Sequence, residues 1–234
     1  MSLTTGRGPL SANPAGRFNK TVPSGLVYVE PFPRRVRGVS AGRTVLDSER
    51  VLLVHRPAQP PTYAFPSGDA TEVRSEVEPE ADGYVRVGWG AVDSWYEEEE
   101  QVFVHPRNPY HRVDCIPTAR RLRVELAGVV VVDTTATIGV YETSLAPRLY
   151  VNRAQLLVDV LKPSASTTYC PYKGTASYWS ALVGEEVVPD VAWSYETPHS
   201  ECRAIRSHLS FDETKLTVEA ALPQWPDQSQ FVIS

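Results

Sequence analysis

Apolar and polar residues alternate over short stretches of this chain and rarely fall at helical spacing. Val124-Glu125-Leu126 and Val129-Val130-Val131-Val132 flank Ala127-Gly128, which predicts a tight β-hairpin because glycine supplies the positive φ its turn needs. Leu26 to Glu30 reads as the first strand, stopped by Pro31-Phe32-Pro33. Leu182-Val183 and Val191 to Glu196 read as two arms of a hairpin turning at Gly184-Glu185. Twenty prolines leave few windows for helix. Two short helices are expected, over 91–101 and 201–209, with Glu97 to Glu100 on a solvated helix face. The pattern predicts a mainly β protein with few short helices.

The strand pattern also repeats. Residues 34–70 slide onto 120–156 without a gap, at a constant offset of 86 (Arg34 onto Arg120). Arg34, Arg35, Arg37, Ala41, Gly42, Val45, Asp47, Val54 and Pro61 fall on identical residues. These identities gather at the Ala-Gly turn, at the Asp two residues after a buried Val, and at the later Pro. Each copy reads as a β-meander, so two related small β domains are expected. The expected division is an extended N-terminal arm (1–25), a shortened first domain (26–115), a complete second domain (116–222) and a tail (223–234). After the shared part the copies diverge. The second runs on to Cys170-Pro171-Tyr172-Lys173-Gly174, while the first crosses an acidic linker and is expected to lack the hairpin carrying that stretch but to keep an aromatic–acid end, Val92 to Glu97, matching Val191 to Glu196.

Composition narrows the function. A formal charge of -5 lacks the basic concentration of a nucleic-acid surface. No apolar run approaches the ~20 residues of a membrane helix, so no membrane partner is expected. Cys115, Cys170 and Cys202 are far apart and form no Cys-x-x-Cys pair. Neither a disulfide framework nor a cysteine-rich zinc site is therefore expected, and a reducing cytoplasm fits. No glycine-rich nucleotide fingerprint appears either, so neither metal nor organic cofactor is expected.

Two segments concentrate chemistry. In the first, Cys170 is a candidate nucleophile and Lys173 a candidate anion grip or Schiff-base amine. Glu142 is expected to act with Lys173, either as a general base or as a structural ion pair; the first copy carries Arg56 at its position. Arg148 and Tyr150 extend an anion-binding wall, joined by Tyr141, Tyr172, Tyr178 and Trp193, with Tyr195 as a further aromatic wall residue. In the second segment, His105, Arg107, Tyr110 and His111 are candidate ligand-binding residues. His111 with Asp114 makes a possible base and orienter, and Arg107 with Arg112 a possible anion grip. The alternative there is a rigid proline-bounded connection.

The run of Ala-Gly hairpin, Tyr141-Glu142-Thr143, Pro147, Tyr150, Cys170 to Gly174 and Ala192-Trp193-Ser194-Tyr195 resembles the domain-of-unknown-function family 427. It is similar to the tandem form found in actinobacteria, over roughly residues 28–220. The resemblance implies small β-tent-like domains, similar in fold to methionine sulfoxide reductase B, and no established activity. Zinc does not carry over, because the Cys-x-x-Cys pairs are missing. The expectation is a small-molecule enzyme or binding protein with its site in the second domain. Lys173, Glu142 and Cys170 would act there on a small anionic or carbonyl compound by acid–base or Lys-assisted chemistry. The alternative is a non-catalytic β module that binds a protein or senses a ligand.

Overall fold

The computed structural model describes residues 3–183 and 186–223. The chain divides into two compact units, one through His111 and the other from Arg112. The fold is mainly β, in several antiparallel sheets.

The first unit contains β1 (Tyr28–Pro31), β2 (Val36–Ser40), β3 (Arg43–Ser48), β4 (Leu52–His55), β5 (Thr62–Pro66), β6 (Ser75–Val77), β7 (Tyr84–Val87), β8 (Ser94–Glu97) and β9 (Glu100–Val102). One sheet has the order β1-β4-β5-β7-β6 and the other β3-β2-β8-β9. Phe32, Val36, Leu46, Leu53, Phe65 and Trp95 are among the residues that fill its core. The N-terminal segment is looped rather than extended: Leu10 donates back to the Leu3 carbonyl and Ala15 to that of Arg7. Thr4 is buried, and its carbonyl accepts from the Ala58 N–H at 2.8 Å.

The second unit contains β10 (Val113–Thr118), β11 (Leu122–Leu126), β12 (Val129–Thr134), β13 (Thr137–Glu142), β14 (Arg148–Asn152), β15 (Leu161–Cys170), β16 (Gly174–Val183), β17 (Glu186–Tyr195), β18 (His208–Phe211) and β19 (Thr217–Ala220). Its large sheet has the order β10-β13-β14-β18-β17-β16-β15 and its small one β12-β11-β19. Strand alternation splits the core. Leu149 and Val151 join Leu122, Val124, Leu209 and Phe211 between the two sheets. Tyr150 points the other way, into a second cluster with Val140, Ala176, Tyr195, Cys202 and Ile205.

The offset of 86 reappears in the pairing. Val29↔Val54 in β1–β4 becomes Cys115↔Val140 in β10–β13, and Leu52↔Ala64 becomes Ile138↔Tyr150. Even the bulge recurs, between Gly38 and Val39 and again between Val124 and Glu125. The repeated residues now have physical roles. Arg35 makes a two-pronged bond to Asp47 (2.8 and 2.5 Å), and Arg121 makes the same bond to Asp133 (2.7 and 2.6 Å). Both Ala-Gly turns have two positive φ values, 49° and 73° in one and 48° and 81° in the other. That is the mirror-image turn whose twist matches a hairpin.

Four expectations change. Residues 91–101 are not a helix: they form β8 and β9, since Trp95 and Glu97 point inward at alternate positions. Glu97 is consequently buried, accepting from Arg34 and, at 2.6 Å, from the Tyr63 hydroxyl. Of 201–209, only a 3-10 turn over Ser200–Ile205 is helical, and His208 and Leu209 enter β18. The boundary between units falls before Arg112 rather than at 115/116, because the whole of β10 pairs with β13. Finally, the counterpart of β8 in pairing is β19, alongside β11, and not the Trp193 strand. Gly184 and Glu185, the expected hairpin turn, lie outside the described residues, although Val183 pairs with Glu186.

Candidate functional site

The Cys170 stretch is the turn joining β15 to β16, with Cys170 paired to Gly174 across its mouth. Gly174 has φ +100°, and a Cβ there would stand 3.3 Å from the Thr197 carbonyl oxygen. Glycine is thus required by both conformation and space. The Lys173 carbonyl accepts from the His199 N–H at 3.1 Å, which pins the turn against the segment after β17. This locks the Lys173 side chain inward.

Its ammonium forms an ion pair with Glu142, at the end of β13. The two side chains are only 10% and 11% exposed, so each charge depends on the other. Burial opposes the Lys173 charge, but the Cys170 sulfur and the Glu142 carboxylate together overcome it and the pKa is raised. Lys173 therefore stays protonated at neutral pH.

The pair lies in the floor of an open cleft of about 820 Å3 on the Tyr150 face of the large sheet. Tyr150 and Tyr195 flank it. Burial pushes the Tyr150 phenol up to about 12 and raises that of Tyr195 as well. The Trp193 indole N–H donates to the Tyr150 oxygen at 3.0 Å, leaving the Tyr150 hydroxyl proton to be donated elsewhere. The Arg148 guanidinium lies 5.2 Å above the Trp193 ring, in cation–π contact. Tyr178 shares a hydrogen bond with Thr168 at 3.1 Å.

Of the residues expected at the site, Glu142, Arg148, Tyr150, Lys173, Tyr178 and Trp193 line this cleft. Cys170, Tyr141 and Tyr172 do not. Tyr141 folds back over Gly139, its ring 2.8 Å from where a Cβ would be, on the opposite strand face from Val140 and Glu142. Cys170 and Tyr172 pack against the cluster around Cys202. The three cysteines, remote in sequence, converge there. The Cys202 thiol donates to the Tyr172 carbonyl at 3.6 Å, and the proximity of Cys115 and Cys202 lowers the pKa of the first and raises that of the second. Among the described residues, no group of three or more His, Cys, Asp or Glu is placed to hold a metal.

Asp190, Asp212, Lys215 and Ser166 to Thr168 also line the cleft and carried no motif. They come from β15, from β17 and from the turn after β18, so only the folded sheet brings them in. Lys215 donates to the Pro189 and Asp190 carbonyls at 3.0 and 3.1 Å, which ties the rim together.

The residues of the second dense segment are dispersed. His105 lines a separate cleft of the first unit, and burial lowers its pKa. Arg107 pairs with Glu100, and Tyr110 donates to Glu30 at 2.7 Å. The His111 backbone N–H donates to the Asn108 carbonyl. Arg112 takes Asp114 at 2.7 Å. At the position of Glu142 the first unit does not merely lose a charge. Arg56 stands there, paired with the fully buried Glu78, so the polarity of the pair is reversed.

Residues 114–221 match the family model described as a domain of unknown function, DUF427. The second unit belongs to that family. The match spans β11 to β19 and nearly all of β10, so every residue lining the cleft falls within the DUF427 domain. No curated protein matches the chain.

Proposed function

We propose that the DUF427 domain takes a small anionic or carbonyl compound into this cleft, and that Lys173 and Glu142 act on it as a fixed acid–base pair. The observation that carries the reading is a buried ion pair, assembled from residues 31 apart, opening onto a cleft of ligand size. Lys173 and the Tyr150 hydroxyl are two donors for one ligand oxygen, and Arg148 on its indole shelf is a third contact and the second cation. Because Lys173 keeps its proton, the chemistry is non-covalent: a Schiff base needs the neutral amine. Glu142 is the matching acceptor for a proton adjacent to the bound oxygen. Cys170, off the cleft wall, has no part in this reading.

Binding without turnover is favoured by one observation, namely that Lys173 and Glu142 already satisfy each other. The same experiment separates the two. The protein is incubated with a metabolite mixture and retained compounds are identified by mass spectrometry, with Lys173→Ala alongside. Retention of a carbonyl or carboxylate compound that the variant loses supports the site, and its conversion supports catalysis. Retention by both proteins, or by neither, ends the proposal.

We also read the first unit as a diverged copy of the DUF427 domain, and both as β-tent-like. Support comes from the common offset, the recurrent bulge and the duplicated Arg–Asp bond.

A further inference from the structure

The first unit has a cleft of its own, of about 570 Å3. Its place follows from the pairing. Phe65↔Val85 and Glu76↔Arg86 in the first unit occupy the positions of Val151↔Leu209 and Trp193↔Ser210 in the second. On that correspondence Thr62 stands where Arg148 does, Glu76 where Trp193 does, and Gly88 and Ala91 where Asp212 and Lys215 do. All eight line their respective clefts. The scaffold therefore opens at the same point in both units, but the chemistry around the opening differs.

The main wall of the first cleft is aromatic. One side of Trp89 is stacked on Trp95, with ring centroids 5.5 Å apart and planes at 26°. Gly88 and Gly90 border it, and a Cβ at either would meet nothing within 4 Å. The Tyr63 hydroxyl is turned away to Glu97, so its ring serves as apolar wall beside Pro60 and Pro61. The charged groups are few. Arg86 donates twice to one oxygen of Glu76, at 3.1 and 2.6 Å, and cancels that charge. His105 is held neutral near pH 7 by burial. Arg74 has no hydrogen-bond or ion-pair partner among the described residues. The lining thus carries one more positive than negative charge, in the same cleft as the half-buried Trp89 indole.

We propose that this cleft is a second binding site, for an aromatic carboxylate whose ring lies on Trp89 and whose carboxylate is held by Arg74. The volume lies within the range of small-molecule pockets, about 300–1,000 Å3. Ring stacking favours an aromatic acid over an aliphatic one, and the guanidinium favours an acid over a neutral analogue. This inference does not depend on the reading of the DUF427 cleft.

The test is a fluorine NMR titration of the full chain with 4-(trifluoromethyl)benzoate. Saturable binding is expected, weakened about tenfold or more in Arg74→Ala, as removal of a charge-assisted hydrogen bond implies. Gly88→Leu should block it, because Gly88 has an ordinary φ of -63° and its new side chain would enter the open cleft. The corresponding benzyl alcohol should bind at least tenfold more weakly, and Arg148→Ala should leave the acid's affinity unchanged. Absence of saturable binding at millimolar acid overturns the proposal, as does affinity that survives both Arg74→Ala and Gly88→Leu. Loss through Arg148→Ala instead would place the acid in the other cleft and likewise overturn it.

Discussion

Replacing Lys173 by Met removes the ammonium paired with the Glu142 carboxylate in a site where that side chain is 11% exposed. Removing one partner of a buried pair costs about 3–5 kcal/mol. The low end applies because the cleft admits water to the remaining carboxylate, giving about 3 kcal/mol. For a unit of this size that is a fall of roughly 12 °C or more in Tm. Glu142→Gln alone should cost a similar amount, because the ammonium then loses its carboxylate. The double variant, Glu142→Gln with Lys173→Met, removes both charges and should recover about 2 kcal/mol of the summed losses. Urea unfolding followed by tryptophan fluorescence measures all four proteins, with Trp179 and Trp193 reporting on this unit. If either single variant costs under 1 kcal/mol, or if the losses simply add, the charges are solvated and the electrostatic account of the site is wrong.

Other consequences can be checked on the same protein. Ala127→Asn should stabilise the second unit by a few tenths of a kcal/mol or more, since Ala127 has φ +48° in a turn that favours Asn-Gly; an unchanged urea midpoint would contradict this. Ser194→Ala should cost about 1–3 kcal/mol, because Ser194 accepts from the Trp179 indole at 2.9 Å and donates to Glu196 at 2.6 Å; a loss below 0.5 kcal/mol would mean water replaces it. His55 and His105 both have pKa values lowered by burial. The first unit should therefore keep full stability above about pH 6.5 and lose it as pH falls from there towards the folded pKa values, because the unfolded chain takes up protons first. Equal midpoints at pH 7.5 and 5.5 in His55→Gln and the parent would refute the His55 contribution.

Turns and period-two patterns were legible in the sequence, because both are local. The Ala127-Gly128 hairpin and the offset of 86 needed only neighbours, and the paired Arg and Asp residues carried their partners at a fixed spacing. Residues 91–101 misled for the opposite reason. Four consecutive glutamates look solvated, yet Glu97 has one position's inward alternation and a buried phenol to accept from. In the cleft, the Glu142–Lys173 pair could be inferred because the first unit has neither residue at the positions an offset of 86 assigns. The substitute pair, Arg56 with Glu78, could not, since Glu78 sits in a linker with no motif. Strand alternation separates Tyr141 from Glu142 and would have removed the former from the wall. The meeting of three cysteines depends on β10 packing on the 200–205 turn, which no spacing encodes.

The hairpin of β15 and β16 has another consequence besides carrying Lys173. It closes the edge of the large sheet, and its outermost strand, β15, is rich in Ser and Thr, contains Lys162 and Pro163, and is irregular between Pro163 and Thr167. Such an edge resists pairing with another chain. The first unit ends its sheet at β6, three exposed residues that include the charged Glu76 and follow Arg74, and so needs no such cover. Excising the hairpin from the second unit would instead bare β17, ten residues containing Val187, Val188, Val191 and Trp193. Self-association into fibrils or amorphous precipitate would then compete with folding, so any shortening of this sheet must also shorten the strand it exposes.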